Sequence, residues 1–93
     1  MVVGIVTWEL HLNGCHSLKD KRQIVTSLKD RLHRRFNVSV AETDHQDLWQ
    51  RAELCCCVVA GTRRHAEDVL TAVDRMVAAE PLARIIDSAT NIQ

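Results

Sequence analysis

Apolar residues recur along this chain with two different periods, and the order of those periods constrains the fold. The segment Val2–Leu12 ends in strict alternation of apolar and polar residues, which is typical of a strand with one buried face. Phe36–Ala41 alternates as well, Ala52–Ala60 is apolar on both faces, and Ala83–Ile92 alternates weakly. Between these strands, two segments repeat their apolar residues every three or four positions, as helices do. The predicted order is therefore β-α-β-β-α-β.

The two predicted helices have recognisable ends. Ser17 can accept backbone N–H groups at the start of the first helix, and Asp20 follows three residues later as an acidic variant of the capping box. We expect this helix to continue to about Arg35. The second helix is predicted over about Arg63–Ala79, and Glu80 ends it because the residue before a proline disfavours the helical backbone.

This order predicts an α+β fold, a ferredoxin-like sandwich with a four-stranded antiparallel sheet and both helices on one face. The length of 93 residues fits a single domain over residues 1–93. The other sheet face then meets water, a ligand or another chain, and it includes cysteine or valine side chains of the third strand. We expect a homodimer through this open face; the alternative is a monomer with a modestly apolar sheet surface.

The overall composition excludes several classes of protein. Lys and Arg number 12, as do Asp and Glu, so a uniformly basic nucleic-acid binder is disfavoured. A hydrophobic share of 46% argues against disorder. No apolar stretch is long enough to span a membrane, and the first residues lack the features of a signal peptide. With three of the four cysteines consecutive, no disulfide framework is expected, so we predict a cytoplasmic protein with reduced thiols and no membrane contact.

The charges are unevenly distributed. The segment Ser17–Phe36 carries seven Lys or Arg and two Asp, a net charge of plus five, and the rest of the chain sums to minus five. Since nucleic-acid contacts are mostly cations on phosphate, we predict that the first helix binds a phosphate backbone. The alternative is a solvated helix face whose last arginines complement the helix dipole. The predicted ligands of phosphate are Lys19, Lys21, Arg22, Lys29, Arg34 and Arg35.

The densest polar stretch is Asp44–Glu53, between the second and third strands. An Asp, a His and an Asp this close together could bind a metal or act as acid and base. Catalysis also needs groups from other elements, and the sequence indicates none, so we predict no catalytic residues. We consider two roles: a tight connection with Leu48 and Trp49 packed beneath it and Arg51 paired locally, or contact with a partner. The candidate partner contacts are Asp44, His45, Gln46, Trp49 and Arg51.

The cysteines are not expected to bind a metal or any cofactor. Consecutive strand residues alternate faces, so Cys56 opposes Cys55 and Cys57, and the latter two lie roughly 6.6–7 Å apart, too far for a good chelate or disulfide. We expect three small apolar residues in a central strand. Cys15, in the loop before the first helix, could be reactive, but no further ligand adjoins it. Trp8 and Trp49 are expected to pack in the fold rather than stack on bases.

Three blocks of this sequence resemble the YlxP-like family of small bacterial proteins, a domain of unknown function: Ser17–Arg22, Arg35–Glu42 and Asp44–Ala52. The resemblance implies a ferredoxin-like domain of about this length, without established catalytic residues. The family's genes tend to lie beside translation factors and a ribosome-binding factor, which implies a role near ribosome assembly or RNA. The run Cys55–Cys57 departs from the ordinary apolar residues of the family. We therefore expect an RNA- or ribosome-associated accessory factor; the alternative is a dimeric protein-interaction module without a nucleic-acid role.

Overall fold

Four strands and two helices follow one another in the predicted order. A computed structural model describes all of residues 1–93. The elements are β1 (Val2–Leu12), α1 (Leu18–Arg35), β2 (Ser39–Asp44), β3 (Arg51–Ala60), α2 (Arg63–Ala78) and β4 (Ala83–Ile92). Neither helix combines the length with the apolar composition that crossing a bilayer requires.

The strands form one antiparallel sheet in the order β2-β3-β1-β4. The strand with apolar residues on both faces, β3, is central as predicted, and β1 beside it pairs along its whole length. Alternate residues of β1 and β3 are buried beneath the helices, whereas the residues between them face away. Here α2 packs over β1, β3 and β4, and α1 packs over β2. These features confirm the ferredoxin-like α+β sandwich.

The core lies between the helices and this one sheet face. Trp8 is fully buried there, and its Nε1 donates to Asp74 Oδ1 on α2 at 2.9 Å, so the one polar atom of the ring is satisfied. At Gly4 the side chain of Leu70 on α2 lies close to the backbone of β1. A Cβ atom at Gly4 would lie 3.1 Å from both Leu70 Cδ1 and Val58 Cγ1.

A hydroxyl side chain caps the start of each helix, at Ser17 as predicted and at Thr62. Ser17 Oγ accepts the Asp20 backbone N–H at 3.1 Å, and the Asp20 carboxylate accepts the His16 backbone N–H at 3.2 Å. Thr62 caps α2 in the same way by accepting the His65 backbone N–H. Both caps satisfy backbone donors that a helix start leaves free.

Two strands differ from their predicted boundaries or faces. β2 begins at Ser39 rather than Phe36, because the Phe36 N–H still closes the last turn of α1 on Leu32 O at 2.9 Å. In β4 a register shift opposite Glu9 changes the alternation, so that Ile85 shares a face with Ser88 and Thr90 instead of opposing them. A period-2 pattern cannot anticipate an inserted residue.

Arg31 and Glu80 connect the two helices. Arg31 on α1 donates from Nη2 to the buried carboxylate of Glu80, just after α2. Glu80 Oε1 also accepts the Leu82 backbone N–H at 3.2 Å. The hydrogen bond from Arg31 lowers the pKa of Glu80, against the opposing effect of burial.

Glu80→Gln is expected to destabilise the protein at neutral pH by about 1 kcal/mol, a modest value because Arg31 is partly solvated. A carboxylate whose pKa is lowered by folding stabilises the protein above its unfolded pKa, and this stabilisation disappears as the pH falls through the folded pKa. Urea unfolding at pH 7 and near pH 3 should show the difference shrinking at the lower pH. Glu67→Gln, in the exposed pair with Arg63, is the control and should change little at either pH.

Gly4→Ala should destabilise the protein by about 1 kcal/mol, since the added methyl forces the side chains of Leu70 and Val58 to shift within a packed core. The matched control is Gly61→Ala, because nothing lies within 4 Å of a Cβ at that position. Urea denaturation of both variants measures the difference. Equal stabilities would show that the contact between α2 and the sheet is not as tight as the structure indicates.

Candidate functional site

α1 presents most of the cations that the sequence predicts as phosphate ligands. Lys19, Arg22, Arg34 and Arg35 are exposed, and Lys29 is half-buried. None of these five side chains forms an ion pair with an acidic group of the chain, whereas the remaining cations of the helix do. Their charges are therefore directed at solvent.

Four of these five cations share one side of the helix. Lys19, Arg22 and Arg34 line a shallow exposed surface along α1 that also includes Asp30. Lys29, two helical turns after Arg22, projects in nearly the same direction as Arg22. At 1.5 Å per residue, Lys19 and Arg34 are about 22 Å apart along the axis. We refer to Lys19, Arg22, Lys29 and Arg34 as the basic face. Arg35 lies elsewhere, in a groove between α1 and α2 that Arg75 and Phe36 also line.

Lys21 has a structural role, which corrects its prediction as a phosphate ligand. Its side chain is only 2% exposed, and Nζ lies 2.8 Å from Glu42 Oε2 on β2. The same ammonium donates to the backbone carbonyl of His45. The aliphatic stem of Lys21 packs with the apolar side of α1, and its ammonium contacts two oxygen atoms of the protein. The ammonium therefore cannot reach a phosphate.

The connection between β2 and β3 is organised around His45. This residue has a φ of 63°, in the left-handed region that residues other than glycine rarely occupy. Its backbone N–H donates to Asp44 Oδ1 at 2.7 Å, and its Nε2 lies 2.6 Å from Glu9 Oε1 on β1. Arg51 Nη2 donates to the same oxygen of Glu9 at 2.5 Å. The sequence analysis predicted a local partner for Arg51. Instead, Arg51 pairs across the sheet with Glu9 on β1.

The three sequence blocks meet at this position. Lys21 comes from the first block, Glu42 from the second, and His45 and Arg51 from the third. Glu9 is the one member of the cluster that the sequence did not identify. Its role depends on the register between β1 and β3, for which the local pattern carries no signal.

The imidazole of His45 lies between the carboxylates of Glu9 and Asp44. Nε2 faces the Glu9 carboxylate, Nδ1 lies 3.9 Å from Asp44 Oδ1, and no hydrogen bond or ion pair joins His45 to Asp47. Throughout the chain, no three His, Cys, Asp or Glu side chains converge in an arrangement that could hold a metal ion.

The middle of the connection is exposed. The exposed fractions of Leu48 and Trp49 are 49% and 38%, and Gln46 and Asp47 are exposed as well. The sequence analysis predicted that both apolar side chains pack beneath the turn. Neither does, because Lys21 and His45 support the turn from below. The indole of Trp49 contacts the ring of His16, with centroids 6.4 Å apart and planes tilted by 41°.

The open sheet face is divided into an apolar part and an acidic part. Val3 pairs with Val59, which is 68% exposed, and Ile5 pairs with Cys57. At the other end, cross-strand pairing places three carboxylates in a row on β3, β1 and β4: Glu53, Glu9 and Asp87. The Arg51 and His45 contacts offset the charge of the middle carboxylate.

The cysteines alternate as predicted. Cys56 is buried in the core, Cys55 and Cys57 face the open side, and all four thiols are free. Burial raises the pKa of Cys56 to about 12, and burial also raises the pKa values of Cys57 and Cys15. Because the thiolate is the nucleophile, these three groups are poorly reactive at neutral pH.

Comparisons with known proteins agree with this structure. The family model described as "Protein of unknown function (DUF503)" matches residues 3–90. The uncharacterized protein YlxP of Bacillus subtilis (strain 168) is 32% identical over 72 residues, which cover 77% of this chain and 78% of that protein. A de novo designed protein with a ferredoxin fold, solved by NMR, matches with a TM-score of 0.52 and 16% identity, covering 100% of this chain and 85% of the designed chain.

The likeness to the designed protein concerns the fold alone. The family model and the match to YlxP concern the family. They confirm the resemblance of the three sequence blocks to YlxP-like proteins. The chain therefore belongs to the DUF503 family of proteins of unknown function.

Proposed function

We propose that this protein is a non-enzymatic accessory factor that acts in the cytoplasm and binds RNA, in a ribosomal context, along the basic face of α1. The observation that carries the proposal is the set of exposed cations without an internal partner on a domain of zero net charge. Binding to phosphates would release counterions from the RNA and so favour association.

Not every cation of α1 lacks an internal partner. Lys21 and Arg31 each reach a carboxylate on another element, Glu42 and Glu80. The basic face has no such partners, although Asp30 lies within it. The row of carboxylates on the open sheet face lies on the opposite side of the sheet from the helices. RNA would approach from the helix side and avoid that row.

The context of the ribosome comes from the resemblance to YlxP-like proteins, whose genes tend to lie beside translation factors and a ribosome-binding factor. The basic face alone would bind any phosphate backbone, and the resemblance specifies ribosomal RNA as the ligand that we propose. The folded domain offers no deep concave pocket beside the basic face, only a shallow surface. A backbone contact of this kind positions a protein on RNA without selecting a sequence.

Reversing two charges, with Arg22→Glu and Lys29→Glu combined, should abolish retention on ribosomal subunits or ribosomal RNA at low salt. Two phosphate contacts are lost, and the two new carboxylates repel the RNA backbone. The control combines Arg64→Glu and Arg84→Glu, two exposed cations away from α1 with the same charge change. Failure of the unaltered protein to bind subunits or RNA at low salt would contradict the proposal.

The open sheet face supports a second candidate, a dimeric protein-interaction module without a nucleic-acid role. Its support is an apolar group that neither helix covers, with Val59 exposed and Val3, Ile5 and Cys57 half-buried. Burial of such a group against a second copy would follow from the hydrophobic effect. α1 lies on the other side of the sheet, so a dimer of this kind would leave the basic face free.

Val59→Glu should halve the mass of the protein in solution, since two charges would face one another within an apolar interface. Light scattering after size exclusion, over a range of concentrations, measures the mass. The combined Arg22→Glu and Lys29→Glu variant is the control and should keep the mass of the unaltered protein. A monomer at every concentration before substitution would rule out this dimer.

A further inference from the structure

We propose that Trp49, in the connection between β2 and β3 and beside His16 at the start of α1, is a stacking site for an unpaired base, so that the RNA ligand is single-stranded at this position. This inference rests on the proposed function, and it adds to it a second kind of contact. The basic face would hold phosphates, and the indole would hold a base.

The two tryptophans of the chain differ sharply in their surroundings. Trp8 is completely buried, and its indole N–H donates to Asp74. Trp49 is 38% exposed, and its indole N–H donates to no group of the chain. A large aromatic ring that the core does not use, with a free donor at its edge, is suited to contact with a ligand.

The ring of His16 leaves the indole accessible. The two ring planes are tilted by 41° with their centroids 6.4 Å apart, so the imidazole lies beside the indole rather than stacked flat upon it. A nucleobase stacks in parallel on an aromatic side chain, and each such contact contributes about 1–3 kcal/mol. No aromatic side chain of the protein makes a parallel stack with Trp49.

The backbone on both sides of Trp49 is fixed. The Leu48 N–H donates to His45 O at 3.0 Å, and the same carbonyl accepts from the buried ammonium of Lys21. On the other side, Gln50 O accepts the Leu12 N–H of β1 at 2.8 Å. Trp49 therefore lies between two anchored neighbours, and little conformational entropy is lost when a ligand binds.

The position of Trp49 relative to the basic face fits one strand of RNA. His16 directly precedes the N-cap of α1, and Lys19 and Arg22 lie in the first turns after it. A base on Trp49 would lie at the N-terminal end of the basic face, with the following phosphates along α1. In a duplex the bases are already stacked on one another, so only single strands and loops can use such a site.

The test compares Trp49→Ala with Trp49→Phe and with Leu48→Ala, a neighbouring apolar residue that is also exposed. The probes are a fluorescein-labelled uridine 12-mer and an RNA duplex of the same length. Trp49→Ala should weaken binding of the single strand by about 10-fold or more, whereas Trp49→Phe should retain most of it and Leu48→Ala all of it. The salt slope should stay unchanged because no phosphate contact is lost.

Tryptophan fluorescence gives an independent measurement. The uridine 12-mer should quench the emission of the unaltered protein, and the quenching should vanish in Trp49→Phe, where only the buried Trp8 remains. If Trp49→Ala binds the single strand as tightly as the unaltered protein, while the combined Arg22→Glu and Lys29→Glu variant does not bind, the stacking site is wrong and the RNA function stands. If the unaltered protein binds neither probe nor ribosomal subunits, both proposals fail.

Discussion

The contact between the buried ammonium of Lys21 and its two acceptors is the interaction on which the candidate site depends. Placing a charge in the interior costs several kcal/mol unless well-placed partners offset the loss of water. Glu42 supplies the opposite charge, and the carbonyl of His45 supplies a second acceptor. One side chain thereby connects α1 to the end of β2 and to the following turn. Removal of the Glu42 carboxylate would leave an uncompensated charge in the core.

This contact determines the shape of the connection between β2 and β3. With its carbonyl held by Lys21, His45 adopts a left-handed backbone and extends its imidazole to Glu9. Arg51 reaches the same carboxylate from the start of β3. The turn is consequently braced from α1 and from β1, and its remaining side chains, including Trp49, are directed outward. A rigid turn with an exposed aromatic ring follows from a charge buried beneath it.

The elements with strong local patterns were predictable. The boundaries of β1 and β4 and the start of α1 agree with the sequence, because alternation and a serine cap are properties of a few neighbouring residues. The opposite faces of Cys56 and its neighbours follow from the same alternation. The shift of β2 and the register change in β4 were not predictable. The first depends on how far α1 continues, and the second on pairing with a distant strand.

The candidate site likewise has features that the local sequence predicts and features that depend on distant segments. The sequence by itself determined that α1 is basic and amphipathic, and that the polar segment after β2 forms a connection. Only the tertiary structure decided which cations remain free, since Lys21 and Arg31 are neutralised by carboxylates that lie 21 and 49 positions away along the chain. It also decided that Trp8 is core and Trp49 is surface. Local periodicity assigns a residue to a face, but its partner and its exposure depend on which distant segments the fold brings against that face.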